Sequence, residues 1–184
     1  MKQAQWKFGG IEARFGAGGT QGGQNGGLQG EDATVVTEVS YSDEVVAELI
    51  YMIEEEKLAG DVYEAFYDMY GLKIFDNIAT SEDRHFDALI AQAETMGIDT
   101  DQFVFNEPGV FEDPELQALY DEMIATGALS VTDALEVGAA IETKDMVDIA
   151  AAIDEAEGTA LADAYANLLA GSANHLQAFE ALLA

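Results

Sequence analysis

From Tyr41 onward, apolar residues recur at spacings of three and four, the period of amphipathic helices. Ser42-Asp-Glu44 offers an N-cap and an acidic first turn. The stripe Val45, Leu49, Met52, Glu56, Ala59, Tyr63, Phe66, Tyr70 then leads to a stop at Gly71. A second helix is predicted from about Ile74 to Met96 with the stripe Ile78, Glu82, His85, Leu89, Ala93, Met96, ending at Gly97. So short a link makes these two helices antiparallel neighbours. Residues 97–129 read as a long connection. It holds a turn at Asn106-Glu-Pro-Gly109 and a short helix from Pro114 to about Ala125, with Gly127 as its terminator. A third long helix starts at Ser130, whose Asp133 resembles a capping box, and runs to about Ile153 with the stripe Leu135, Gly138, Glu142, Asp145, Ile149. After Gly158 a fourth runs from Thr159 to about Leu183 with Leu161, Tyr165, Leu168, Ser172, His175, Phe179, Leu182. No alternating run competes for strand. The expected fold is all-α: an antiparallel four-helix bundle over 41–184, two hairpins joined by a long crossover that carries a short extra helix.

Each stripe is interrupted by polar residues, and this interruption is where the chemistry is expected, because buried charges are rare unless paired or bound to metal. Glu56 breaks the first stripe, Glu82 and His85 the second, Glu142 and Asp145 the third, His175 the fourth. His85 and His175 are the chain's 2 histidines. Glu82 and His85, at i and i+3, present a carboxylate and an imidazole on one helical face. Glu54 and Glu55 point about 200° and 100° away from the Glu56 face and are expected to be solvated, as is Glu136. Lys57 and Arg84 are expected to pair with surface acids. Tyr63 and Tyr165 share faces with the candidate ligands, either packing the core or hydrogen-bonding those carboxylates.

Composition changes this picture in three ways. Asp and Glu total 36 against 7 Lys and Arg, a formal net charge of -29, so nucleic acid and anionic membrane are poor partners. With hydrophobic residues at 49%, the chain is an apolar core in an acidic shell, of a kind that salt stabilises by screening; a halophilic source is expected. The absence of cysteine excludes disulfides and thiolate sites and leaves oxygen and imidazole as metal ligands. With no apolar leader and no membrane-length apolar run, a cytoplasmic protein is expected. Residues 1–40 differ in kind: ten of the 18 glycines lie between Gly9 and Gly30, beside Lys2, Lys7, Arg14, Trp6, Phe8 and Phe15. This stretch reads as a flexible tail, or as one that docks on an acidic bundle.

Glu56-x-x-Ala59-x-x-x-Tyr63 followed by Ile78-Ala-x-x-Glu82-x-x-His85 resembles the first half of a rubrerythrin-type di-iron domain of the ferritin-like superfamily. The fuller run is more similar to the uncharacterised ferritin-like family known as domain of unknown function 2202. That run includes Glu54-Glu-Glu-Lys-Leu-Ala, Asn77-Ile-Ala-x-Ser-Glu, Pro114-Glu-Leu-Gln-Ala-Leu-Tyr and Gly171-Ser-x-Asn-His175. The resemblance spans essentially Tyr41 to Ala184. It implies Glu56, Glu82, His85, Glu142 and His175 as ligands of two metal ions, with iron favoured by the donor set and manganese or zinc as alternatives. Where the superfamily has Glu-x-x-His on the fourth helix, this chain has Ser172-Ala-Asn-His175. That departure weakens one metal position unless Asp145 supplies the carboxylate. The implied activity is an oxidoreductase acting on oxygen, peroxide or ferrous iron, served by an external electron donor and assembled as a homo-oligomer. The alternative is a non-catalytic metal-binding or storage module.

Overall fold

The structure is a computed structural model that describes residues 41–103, 107–111 and 113–184. The tail expected over 1–40 lies outside the described residues, as does Asn106 of the expected turn. Among the described residues there are five α-helices, one short 3-10 turn and no strand.

Helix α1, Asp43–Tyr70, begins where the Ser42 hydroxyl accepts from the Val45 N–H at 3.3 Å, with Asp43 and Glu44 at the positive end of the dipole. It ends where Gly71 takes φ 66°, a left-handed turn that glycine enters without strain. Leu72 then leads directly into α2, Lys73–Thr95, so the two form a tight hairpin. Helix α4, Val131–Glu155, is capped by Ser130, whose Oγ accepts from the Asp133 N–H at 3.1 Å. Helix α5, Ala160–Leu183, is capped by Thr159. These boundaries follow the predicted ones to within two residues.

The short helix α3 differs from its prediction. It spans Pro114–Gly127, with the Asp113 side chain accepting from Glu115 and Leu116, and it runs through Gly127 to a right-handed cap at Ala128. The helix ends at Gly127 as expected, but not by a left-handed glycine turn. The missing side chain of Gly127 makes room for the Phe66 ring, and its carbonyl accepts from the Tyr70 hydroxyl at 2.6 Å.

The principal pairings are α1 with α2 and α4 with α5. Contacts of α2 with α5 and of α1 with α4 close the bundle, and α3 lies against α1 and α4. The connection before α3 is pinned to α1 by Asp61, whose Oδ2 accepts from the Gly109 N–H at 2.7 Å, and to α3 itself by Gln117, which donates to the Gly109 carbonyl at 3.0 Å.

Two apolar layers fill the bundle. One gathers Leu49, Met52, Ile53, Leu89, Ile149, Leu161, Tyr165 and Leu168. The other is aromatic: Tyr63, Phe66, Phe75 and Phe179, with ring centroids 5.4 to 6.4 Å apart. Full burial of each such aliphatic or aromatic side chain contributes about 1.5–3 kcal/mol. On α1, α2 and α5 the polar interruptions fall between these layers in the sequence, and on α4 they fall between Gly138, which lies against the Phe179 ring, and Ile149, so the acidic centre lies in a belt with apolar packing above and below it. Among the described residues, no helix is long and apolar enough to cross a membrane.

Candidate metal centre

Helical register turns Glu56 of α1, Glu82 and His85 of α2, Glu142 of α4 and His175 of α5 toward one another. All three glutamates are almost fully buried. They form two triads, Glu56–Glu82–His85 and Glu82–Glu142–His175, each offering ligand atoms within 4.8 Å of one another, and Glu82 belongs to both. Its Oε2 lies 2.7 Å from His85 Nδ1 and its Oε1 2.8 Å from His175 Nδ1. His85 Nδ1 also lies 3.3 Å from Glu56 Oε2, and His175 Nδ1 lies 3.5 Å from Glu142 Oε2. The two imidazoles stack at 5.6 Å and 28°, and each side chain is 12% exposed, so the histidine side of the centre reaches the surface.

The atoms are close, yet many are not hydrogen-bonded. Glu56 Oε1, both oxygens of Glu82, Glu142 Oε2, Asp145 Oδ2 and His175 Nδ1 are buried without a partner among the described residues. Glu82 and His175 approach to 2.8 Å without the alignment of a hydrogen bond. Leaving this many buried acceptors unpaired costs on the order of 1–3 kcal/mol each. Ligands about 2.1 Å from one cation and at right angles to each other stand about 3 Å apart, which is the spacing seen. The donor set therefore fits divalent cations bound by carboxylate and imidazole.

Protonation follows the same crowding. Burial pushes the Glu56 carboxyl up to about 8 and that of Glu142 up to about 7, against the opposing pull of His85 and His175 respectively. Burial acts on Glu82 as well, but contacts with His175 and His85 outweigh it and bring the carboxyl down to about 2. Burial alone would lower both histidines; close contacts with the Glu56 and Glu82 carboxylates instead lift His85 to about 10, and those with Glu142 and Glu82 lift His175 to about 9. Without a cation, protons hold the centre together.

Asp145 is buried on the same helix but belongs to neither triad. It borders a cavity of about 10 Å³, room for about one water, alongside Glu55 and Lys144 and beneath Leu119 and Met123 of α3. Burial, then the charges of Glu56, Glu142, Glu55 and Glu82, raise its carboxyl well above the usual range. Ser172 is fully buried, and its hydroxyl donates to the Leu168 carbonyl at 3.3 Å, one turn back on its own helix.

Two expectations about α1 are corrected. Glu54 and Glu55 are buried, not solvated. Glu55 is covered because α3 and α4 also pack on α1, and it finds an ion-pair partner in Lys144, which also pairs with Asp148 at 2.6 Å and reaches the Tyr51 hydroxyl at 3.3 Å. Burial still raises the Glu55 carboxyl to about 7, opposed by Lys144. Lys144 is the residue that periodicity missed. Its isolation as the one cation of an acidic helix, four residues before Asp148, was the available signal. Lys57 pairs with Asp61, but with both side chains largely covered. Tyr63 donates to Glu142 Oε1 at 2.6 Å, so it both packs the core and orients a site carboxylate. Tyr165 packs in the aliphatic layer, and its buried hydroxyl finds no partner among the described residues.

Comparison with known proteins gives one family. The model of the family described as "Uncharacterized protein domain (DUF2202)" matches residues 46–183. A curated relative, "Uncharacterized protein MJ0754" of Methanocaldococcus jannaschii, is 41% identical over 142 residues, covering 77% of this chain and 76% of its own length. Among solved structures, the "Crystal structure of hypothetical protein MJ0754 from Methanococcus jannaschii DSM 2661" superposes with a TM-score of 0.75 at 39% identity. It covers 82% of this chain and 85% of that one.

Proposed function

The chain belongs to the DUF2202 family, and from that premise we propose that it is a ferritin-like protein whose bundle binds two metal ions, iron by preference, and acts as an oxidoreductase on dioxygen, peroxide or ferrous iron. The observation that carries this reading is the pair of glutamate–histidine triads sharing Glu82, with unpaired buried oxygens converging between them. Glu56, Glu82 and His85 would hold one ion; Glu82, Glu142 and His175 would hold the other. Bound there as ferrous iron, the two ions would supply the electrons for reducing dioxygen or peroxide.

The protein's own part is positioning. Glu82 lies between the two imidazoles and brings both positions under one carboxylate. Each histidine turns Nδ1 inward, which leaves Nε2 to carry the ring proton in the metal-binding tautomer. The Tyr63 hydroxyl fixes the Glu142 carboxylate, and the aromatic and aliphatic layers shield the belt from above and below. With no cysteine in the chain, reducing equivalents come from a partner. Assembly as a homo-oligomer, and a cytoplasmic home at high ionic strength suited to the acidic shell, complete the proposal.

The test is metal stoichiometry combined with anaerobic loading of ferrous iron and a pulse of oxygen or peroxide. Two irons per chain and rapid oxidation are expected. One inert zinc per chain would remove the oxidoreductase. That outcome would favour a second reading, a structural or storage metal, which Ser172 at the position of a further carboxylate supports by leaving Glu82 as the one carboxylate shared between the triads.

A further inference from the structure

We infer that Gly171 is a positioning residue for the proposed metal centre: its missing side chain lets the His85 ring lie against α5 with Nδ1 turned toward Glu56 and Glu82. The inference rests on the metal-binding reading above. A Cβ placed on Gly171 would stand 2.5 Å from His85 Nε2 and 2.7 Å from Cε1, far inside van der Waals contact. Gly171 lies within α5 and does not adopt a positive φ, so no turn explains it, and glycine is a poor helix former at such a place. The other inward-facing glycines separate the cases. A Cβ on Gly138 would meet the Phe179 ring at 2.6 Å, which is core packing; one on Gly60 would meet Glu82 Cβ at an ordinary 3.7 Å. At Gly171 the neighbour is a site imidazole.

The ring has little room to yield. Nδ1 is held at 2.7 Å from Glu82 and 3.3 Å from Glu56, and the His175 ring stacks against it. Restoring a separation of roughly 3.5 Å means moving Nε2 by about an ångström. A rigid ring passes that shift to Nδ1 and takes it out of its present register with the Glu56 and Glu82 carboxylates. The damage falls first on the Glu56–Glu82–His85 triad, the one that contains His85.

Anaerobic titration of the full chain with cobalt(II), read by equivalents bound and by the visible spectrum, tests this. Wild type and Gly60→Ala are expected to bind two equivalents. Gly171→Ala is expected to bind one, with the second weakened at least tenfold. In the metal-free wild type, nuclear Overhauser contacts between the His85 ring protons and the Gly171 α-protons are expected. Should Gly171→Ala fold poorly, the double variant His85→Ala/Gly171→Ala is expected to recover the melting temperature, because the clash has lost its partner. Two equivalents with wild-type affinity and spectrum in Gly171→Ala would overturn the inference alone. So would absence of the Overhauser contacts, or a double variant that stays unfolded. A wild type that binds no cobalt would end the metal reading and this inference with it.

Discussion

The two triads share Glu82 but are held differently. In the second, the Tyr63 hydroxyl fixes one oxygen of Glu142 at 2.6 Å, and the aromatic layer in turn holds Tyr63. In the first, Glu56 Oε1 has no partner among the described residues, and its carboxylate is steadied by a 3.3 Å contact with a histidine whose ring depends on the space at Gly171. Next to Glu56, Glu55 rests on the ion pair with Lys144. A site whose ligands are oriented by a further layer of hydrogen bonds loses less freedom when it binds. The second triad is therefore expected to fill first and the first triad to be the weaker, exchangeable position.

Breaking the shared carboxylate should erase the comparison. Glu82→Gln is expected to abolish binding at both triads, taking metal content from two per chain to none by elemental analysis. Retention of both ions would remove Glu82 as the shared ligand. Next in size, Lys144→Met leaves Glu55 buried without its cation and is expected to cost about 3 kcal/mol in chemical denaturation. The metal loss that follows should fall on the first triad. An unchanged denaturation midpoint would mean that the ion pair does not hold the α1–α4 seam.

Tyr63→Phe sharpens the comparison from the other side. Affinity at the second triad is expected to fall about 10- to 100-fold while the first is unaffected, which competitive chelator titration can resolve.

Proton linkage follows from the shifted groups. Glu56 and Glu142, raised to about 8 and 7, and His85 and His175, raised to about 10 and 9, all hold protons more tightly in the folded chain than in the unfolded one. Their stabilisation of the metal-free bundle is present at low pH and is lost as pH rises through about 7 to 10. Glu82, lowered to about 2, acts oppositely, and its contribution is lost only as pH falls toward 2. The metal-free melting temperature is thus expected to fall between pH 6 and pH 10. Metal binding should release protons and strengthen with pH over the same window, measurable by calorimetry in buffers of different ionisation enthalpy. The smallest effect is that of salt. Molar potassium chloride is expected to raise the melting temperature by screening the acidic surface, and a fall would contradict the screening argument.

Much of this was legible in the sequence, and for physical reasons. The period of 3.6 fixes each residue's angle around its own helix, so Glu56, Glu82, His85, Glu142 and His175 were recognisable as polar residues on apolar stripes. Ser42, Ser130 and Thr159 marked helix starts because cap chemistry is local. Gly71, Gly97 and Gly158 marked links because left-handed backbone is local as well. Gly127 marked the end of α3, but its close approach to Phe66 was not legible, because nothing in its neighbours in sequence names that ring.

What the sequence determined by itself is the set of helices and the polar residues on their inner faces. What tertiary structure decided is which of those residues meet. A stripe states an angle and not a neighbour. That α3 and α4 both pack on α1 buried Glu55 and gave it to Lys144. The order of helices around the bundle placed Glu82 between two histidines, put Gly171 under the His85 ring and left Asp145 beside a small cavity, outside both triads. Each of these depends on contacts between residues far apart in the chain, which helical periodicity does not encode.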